Sequence, residues 1–289
     1  MKNYKILFFS FLLLPLIGLA QEKKKDSIID KPERPAFESA TLIDNATNVL
    51  FNKNTLEVQM QHRFDEINGG VNDLAGFWGA SNIRIALSYA ILDRITVGYG
   101  TTKEGRLQDF NLKLALLNQT RSDKVPISIS YFGNFTIDAR PNNKFFTKQD
   151  RYSNFHQLIL ARRFSPNFSL QIAPSISHYN LVEQFMENDR FAIAFGGRAK
   201  ISSQTSILFD YSQPITKFED VIEVDGSTTS YNNPGISLGV EFGTSAHTFQ
   251  IFLTNYRGIV PQQNYMKNTN DFFYGDFLIG FNITRNYNF

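Results

Sequence analysis

The chain has 289 residues, of which 42% are hydrophobic, 14% aromatic and only 19% charged. It contains no cysteine, which excludes disulfides, thiolate metal sites and cysteine nucleophiles. The 29 Lys and Arg side chains nearly balance the 27 Asp and Glu side chains, so neither nucleic acid nor another strongly charged partner is expected. After the N-terminal region, no apolar stretch approaches the ~18 residues that a membrane-spanning helix needs.

Residues 1–20 are predicted to be a secretory signal peptide. A basic start at Lys2 and Lys5 precedes a mostly apolar run over residues 6–17 and a small-residue cleavage sequence at residues 18–20. Removal of this segment would leave 27 basic and 27 acidic residues, since only the two lysines are lost. An exported, neutral, aromatic-rich chain without a spanning helix suggests contact with lipid through strands.

From about residue 54 onward, apolar residues alternate with polar or small ones. Leu56, Val58 and Met60, for example, alternate with Glu57 and Gln59. A period of two places successive side chains on opposite faces of a β-strand. The pattern predicts twelve strands, at about residues 54–64, 82–89, 95–100, 110–116, 125–137, 151–163, 168–179, 189–201, 206–213, 234–243, 248–255 and 276–289. Most approach the ~9–11 residues of a tilted membrane strand, although the alternation at 151–163 does not show which face points inward.

Alternation alone does not separate a soluble sandwich from a membrane barrel, because both contain two-faced strands. Here the apolar face is large and aromatic, while the other face mixes charge with Gly, Ala and Ser, as an enclosed interior would. Short links are predicted near residues 92–94, 165–167, 202–205 and 244–246, with a somewhat longer one at 118–124. Longer loops are predicted near residues 65–80, 102–108, 138–150, 180–188, 214–232 and 256–274. Short turns at one rim and long loops at the other are typical of outer-membrane barrels.

The last strand bears on closure and assembly. In hydrocarbon every backbone N–H and C=O needs an internal partner, so residues 56–64 should pair with residues 277–289. Ile283, Tyr287 and the terminal Phe289 share one parity and form a candidate signal for the barrel assembly machinery. The alternative is an edge strand that happens to end in phenylalanine.

The predicted fold is therefore all-β: one antiparallel transmembrane β-barrel of about twelve strands over residues 54–289. The expected location is the outer membrane of a Gram-negative bacterium, with short periplasmic turns, long extracellular loops and outer-membrane lipid as a partner. Residues 21–53 would form a periplasmic N-terminal segment, and Asp44 could cap a short helix over residues 49–51. This segment could enter the barrel as a plug or remain a disordered leader.

The polar parity of the strands is expected to face the lumen. The predicted lumen-lining charged residues are Arg63, Arg84, Lys113, Arg190, Arg198 and Lys200, together with Glu57, Asp109, Asp210 and Glu241. Barrels of eight strands are filled by side chains and those of sixteen or more hold a water channel, so twelve strands lie between these cases. The charges could pair and close the lumen, or line a narrow pore with a mild anion preference.

Signals of catalysis are sparse. The sequence lacks HExxH, GxSxG, Walker and GxGxxG motifs. Ser177, His178 and Asn180 come nearest to a hydrolase constellation, but adjacent strand residues point to opposite faces, so Ser177 and His178 cannot easily meet. Loop carboxylates match no calcium-binding spacing. The sequence therefore predicts no catalytic residue, metal site or cofactor.

Several segments of the chain resemble one protein family. They are Pro35-Ala36-Phe37-Glu38-Ser39, Gln61-His62-Arg63-Phe64, Ser81-Asn82-Ile83-Arg84, Asp93-Arg94-Ile95-Thr96-Val97-Gly98 and Gly196-Gly197-Arg198. Over most of the mature chain the sequence resembles the uncharacterised outer-membrane β-barrel family known as domain of unknown function 5777. The resemblance implies a barrel and its location, without an established activity.

Three functions are consistent with the sequence. The first is a narrow passive channel for small polar or anionic solutes, with the inward basic residues contacting the solute. The second is a non-conducting structural or scaffold subunit that binds other outer-membrane proteins. The third, supported least by the residues, is a lipid hydrolase at the barrel rim.

Overall fold

The computed structural model describes residues 30–289, so the signal peptide predicted at residues 1–20 lies outside the described residues. Twelve antiparallel strands form one closed sheet. They are β1 (Thr55–Glu66), β2 (Asn82–Leu92), β3 (Ile95–Thr102), β4 (Leu107–Leu117), β5 (Ser128–Asp138), β6 (Tyr152–Ser165), β7 (Phe168–Tyr179), β8 (Asp189–Lys200), β9 (Thr205–Pro214), β10 (Gly235–Gly243), β11 (His247–Thr254) and β12 (Leu278–Asn288). No helix in the described part of the chain is both long and apolar enough to cross a membrane.

The sheet closes because the last strand pairs with the first. β12 runs antiparallel to β1 from Leu278 opposite Glu66 to Asn288 opposite Thr55. Every other strand pairs with its neighbours along the chain. Closure removes both free sheet edges, so the backbone groups of the wall are satisfied internally. The predicted twelve-stranded antiparallel barrel, with its first and last strands paired, is confirmed.

The two faces of the wall differ as the alternation predicts. In β1, Glu57, Gln59 and Gln61 are buried, whereas Leu56 and Val58 are half exposed. Exposed apolar side chains continue around the outer surface at Ile85, Tyr99, Phe110, Phe191, Phe209, Leu238 and Ile251. An apolar band outside and polar side chains inside are the arrangement of a barrel surrounded by lipid.

The inward face of β6, which the alternation left open, is clear in the structure. Phe155, Gln157 and Ile159 are buried, while His156 and Leu158 point outward. Both faces of this strand are apolar because its interior side packs against other chain segments inside the barrel rather than against water.

The two rims differ in the length of their connections. At the rim that holds both ends of the barrel chain, here called the turn rim, links are only two to four residues long except for the one between β4 and β5. The opposite rim, called the loop rim, carries the longer connections 67–81, 139–151, 180–188, 215–234 and 255–277. The expected long loop at 102–108 is wrong: β3 extends to Thr102 and β4 begins at Leu107, so a short 3-10 turn joins them.

The remaining regular elements lie in the loops. They are the α-helix α1 (Pro261–Lys267), a hairpin of Val221–Ile222 with Thr228–Thr229, and 3-10 turns at Ile67–Asp73, Glu104–Arg106, Asn142–Lys144, Gln149–Arg151 and Phe272–Tyr274. A second small hairpin pairs Thr41–Leu42 with Asn45–Ala46, ahead of the barrel. The short helix expected to begin at Asp44 is therefore wrong, because this residue lies in the turn of the hairpin and its carboxylate bonds to barrel side chains.

Candidate functional site

Residues 35–51, called the inner segment, lie inside the barrel. Leu42 and Ile43 at the hairpin tip are 1% and 0% exposed and belong to one apolar cluster with Leu208 and Phe252 of the wall. Ala46 packs against another cluster of wall residues that includes Ile159. The sequence left open whether this part of the chain is a plug or a disordered leader. In the structure residues 35–51 occupy the lumen.

A buried ion pair holds the hairpin turn. Asp44 Oδ1 accepts a hydrogen bond from Arg63 Nη2 at 2.9 Å, and both side chains are essentially inaccessible to solvent. Asp44 Oδ2 accepts from Ser237 Oγ at 2.6 Å and from Thr254 Oγ1 at 2.9 Å. The Arg63 guanidinium also lies 4.4 Å from the centre of the Phe252 ring. Three strands of the wall, β1, β10 and β11, thus converge on one carboxylate.

Asp210 binds the same turn from the other side. Its Oδ2 accepts the backbone N–H groups of Asp44 and Asn45, each at 3.0 Å. Its Oδ1 accepts from Asn45 Nδ2 at 2.9 Å, and that amide also donates to Ser212 Oγ at 2.9 Å. A carboxylate that receives three N–H groups of one turn fixes the position of the turn in the lumen.

Basic wall residues hold the two arms of the inner segment. Lys113 Nζ donates to the carbonyl oxygens of Ala40 at 2.8 Å and Val49 at 3.3 Å. Arg198 Nη2 lies 3.1 Å from Glu38 Oε1. Lys113 and Arg198 therefore attach the inner segment to the wall of the barrel.

Two pairs of predicted lumen charges join strands of the wall. Arg84 makes a bidentate pair with Asp109, at 2.8 and 2.7 Å, and Arg198 Nε lies 2.8 Å from Glu241 Oε1. Glu57 is buried, and its Oε2 has no hydrogen-bond partner among residues 30–289. Lys200 differs from the others because it is half exposed at the turn rim. Direct contact of these residues with a solute stays a prediction.

Loss of the Asp44 carboxylate should destabilise the barrel strongly. The Asp44→Ala variant leaves the Arg63 guanidinium buried without its counter-charge, which typically costs about 3–5 kcal/mol. We expect the temperature at which the folded band disappears in heat-modifiable gel mobility to fall clearly below that of the wild type. Asp93→Ala in an exposed turn is the matched control, and an equal effect there would contradict the assignment.

The loop between β11 and β12 also enters the lumen. Within α1, Gln262 is fully buried and its Nε2 donates to Thr136 Oγ1 of β5 at 2.8 Å. Tyr265 donates its hydroxyl to Asn45 Oδ1 of the inner segment at 2.7 Å. Segments that enter from the two rims therefore touch inside the barrel.

Arg190, predicted to line the lumen, holds this loop and its neighbour in place. It donates to the carbonyl oxygens of Thr216 at 3.0 Å, Tyr231 at 2.7 Å and Tyr265 at 2.7 Å. Its Nη2 donates to Asn232 Oδ1 at 2.9 Å. One guanidinium thus joins the two longest loops of the loop rim to β8.

Sequence reasoning missed the insertion of α1. It treated residues 256–274 as an extracellular loop, yet Ile259, Val260, Tyr265 and Met266 are all buried. Four large apolar side chains within eight residues of a loop are the signal that could have indicated burial.

Cavities remain around the inner segment and around α1. A vestibule of about 540 Å³ at the turn rim is lined by the inner segment and by Arg163, Arg198 and Lys200. A central cavity of about 70 Å³ is lined by Glu57, Lys113 and other polar groups of the wall. Since one water needs about 10–15 Å³ of such space, the central cavity holds roughly five waters.

Apolar side chains stand between these spaces. Val49 and Phe51 line both the vestibule and the central cavity. At its other end the central cavity stops at Ile259, and a loop-rim cavity of about 150 Å³ begins at the adjacent Gly258. A second loop-rim cavity of about 210 Å³ shares Gln263 with the first. The spaces form a discontinuous line from one rim to the other.

The candidate hydrolase residues are not assembled into a site. Ser177 is buried toward the lumen, and its Oγ has no hydrogen-bond partner in the described part of the chain. His178 lies on the other face, with Nδ1 2.7 Å from Asp189 Oδ1 and Nε2 2.9 Å from Asn180 Oδ1. Within residues 30–289 no group of three His, Asp or Glu side chains is placed to hold a metal ion.

The candidate assembly signal lies at the turn rim. Ile283 and Tyr287 are on the outward face of β12, and Phe289 follows the strand with its side chain 80% exposed. The Phe289 N–H donates to the Asn54 carbonyl at 3.2 Å. Recognition of these residues by the assembly machinery stays a prediction.

Comparison with known proteins agrees with the architecture. The family model described as membrane bound beta barrel domain (domain of unknown function 5777) matches residues 37–287. An outer membrane channel from Pseudomonas putida F1 superposes with a TM-score of 0.51 at 11% identity, over 83% of this chain and 97% of that chain. The NanC porin gives 0.48 at 8% identity, over 79% and 97%. No curated protein matches the sequence significantly.

Proposed function

Because the chain belongs to the membrane bound beta barrel domain family, we propose that it is a narrow outer-membrane channel for small polar solutes, closed at rest. The inner segment and the loop that carries α1 would together form the closure. The observation that supports this function is the series of cavities between the two rims, in which neighbouring cavities share or adjoin the apolar residues Val49, Phe51 and Ile259.

The apolar side chains between the cavities belong to the inner segment and the loop, not to the wall. Phe51 is only partly buried, and Ile259 lies in an irregular part of the loop just before α1. A modest shift of either element would join neighbouring cavities without breaking a strand pair. Opening would then need only local motion, which requires much less free energy than unfolding of the barrel.

The charged residues that line the central cavity and the vestibule suggest which solutes would pass. In the central cavity Lys113 is balanced by Glu57, and Arg84 is already paired with Asp109. The vestibule is slightly more basic, since Arg34, Arg163, Arg198 and Lys200 line it, with Arg163 paired to Glu33 and Arg198 paired to Glu38 and Glu241. Anions would be concentrated at the turn rim, and the central cavity would admit small polar solutes of either sign.

Removal of the Phe51 ring tests the channel directly. In Phe51→Ala the barrier between vestibule and central cavity loses its largest side chain and the inner segment loses packing. We expect a several-fold higher single-channel conductance, or more frequent openings, in planar bilayers than for the wild type.

The matched control is Phe110→Ala, which removes the same ring from the outward face of β4. It should leave conductance at the wild-type level. If the folded Phe51→Ala and Phe110→Ala proteins both show no single-channel current at any applied voltage, the channel function would have to be abandoned.

A further inference from the structure

The first loop after β1 exposes an unusual amount of apolar surface. In residues 67–78, here called the aromatic loop, Val71 is 91% and Trp78 is 71% exposed. Leu74 and Phe77 are also exposed. Such a contiguous apolar patch on a loop generally marks a surface that contacts another molecule or a membrane.

The patch forms a shallow depression and is almost free of charge. An apolar groove of about 460 Å³ is lined by Gly70, Val71, Leu74, Ala75 and Phe77. The loop contains one ionisable side chain, Asp73, whose Oδ1 accepts the Gly76 N–H at 3.0 Å. A surface without free charges offers little to a polar partner and favours hydrocarbon.

The aromatic loop continues the lipid-facing wall. The Phe77 ring centre lies 4.2 Å from that of Phe64, which points outward from β1. Phe64 in turn lies 6.1 Å from Phe281 of β12 and 4.4 Å from His62. The loop therefore packs on the outer side of the barrel, where the apolar band of the wall ends.

A second aromatic segment lies beside it at the seam between β1 and β12. Phe273 and Tyr274 of the last loop are 81% and 87% exposed. The Ile67 N–H donates to the Phe277 carbonyl at 3.0 Å, and Asn68 Nδ2 donates to Asp276 Oδ1 at 3.1 Å. These bonds hold the two segments together as one apolar rim.

We propose that the aromatic loop is a lipid-anchoring element whose groove holds acyl chains of the membrane leaflet nearest the loop rim. The loop is continuous with the lipid-facing wall through the contact of Phe77 with Phe64. Lipid is therefore the occupant that we propose, because the lipid that covers the wall can also cover the apolar surface of the loop. Trp and Tyr rings with a polar tip favour the headgroup depth at which Trp78 and Tyr274 would sit. The anchor would fix the depth of the barrel at its seam, whether or not the barrel conducts.

Trp78 is the only tryptophan of the chain, so its fluorescence reports on this loop alone. The full mature chain would be inserted into vesicles of dioleoyl phosphatidylcholine and into vesicles of the same lipid with dibrominated acyl chains. We expect brominated lipid to quench the emission strongly, because bromine quenches tryptophan only at short range. Aqueous iodide should quench weakly.

Two single-tryptophan variants calibrate the result. Trp78→Phe combined with Phe209→Trp places the probe on the outward wall, and Trp78→Phe combined with Val224→Trp places it at a fully exposed loop tip. The quenching of Trp78 by brominated lipid and by iodide should resemble that of the probe at position 209 more closely than that of the probe at position 224. Emission from Trp78 that responds to iodide as strongly as the probe at position 224 would overturn the proposal.

Shielding of Trp78 from both iodide and brominated lipid would also overturn it. That outcome would mean that protein covers the groove, and dilution of the protein in lipid would then show whether the cover is a second copy of the chain.

Discussion

The double variant Leu42→Cys/Gly196→Cys is expected to lose all channel openings once its two thiols are joined. A Cβ at Gly196 would overlap Leu42 Cδ2, so the hairpin tip and β8 are in direct contact. Because that Cδ2 is two bonds from its own Cβ, the two Cβ atoms are within reach of the ~3.5–4.5 Å separation that a disulfide needs. The disulfide would hold the inner segment against the wall.

The chain has no native cysteine, so no other thiol competes for the disulfide. Openings at high applied voltage would be counted for the oxidised protein and again after dithiothreitol, and reduction should restore them. Leu42→Cys alone, given the same oxidant, serves as control. Equal opening before and after reduction would show that current passes without movement of the inner segment, contrary to the proposed closure.

Replacement of Arg190 by alanine is expected to release both long loops from the loop rim while the barrel stays folded. The guanidinium donates four hydrogen bonds to the loops and lies 4.1 Å from the centre of the Phe218 ring. Hydrogen bonds to a charged group are each worth ~1.5–3 kcal/mol, so loss of several should lower the local opening free energy by about 3 kcal/mol or more.

Proteolysis measures this release. A fall of about 3 kcal/mol corresponds to a roughly hundredfold faster cleavage of residues 215–234 and 255–277 in the folded protein. Arg285→Ala, which removes an exposed arginine from β12, should leave the cleavage rate unchanged. If Arg190→Ala is cleaved no faster than that control, Arg190 does not hold the loops.

The barrel wall could be predicted from sequence because its constraint is local and repeated. Each strand must present an apolar side chain to lipid at every second position. The alternation of apolar and polar residues is therefore visible in the sequence of each strand. In the structure Glu57 of β1 and Asp210 of β9 are buried on the face that the alternation assigned to the lumen. The alternation of apolar and polar residues thus predicted both the strands of the wall and the face on which their charged residues lie.

The contents of the lumen could not be predicted in the same way. The position of Asp44 depends on Arg63, Ser237 and Thr254, three partners from three strands, and no short pattern records such contacts. The facing of β6 was ambiguous for the related reason that Ile159 packs against the inner segment and not against water. The position of Asp44 and the facing of β6 depend on contacts between residues distant in sequence, whereas the strands of the wall follow from the local alternation.

The hydrogen bond from Tyr265 to Asn45 joins chain segments that enter the barrel from its two opposite rims. A ligand that binds α1 preferentially in a position withdrawn from the lumen must weaken the hold on the hairpin. Thermodynamic linkage makes the effect mutual, so a factor that withdraws the inner segment at the turn rim would change the affinity for a ligand at the loop rim by the same ratio. Binding events at the two rims are thereby coupled through this contact.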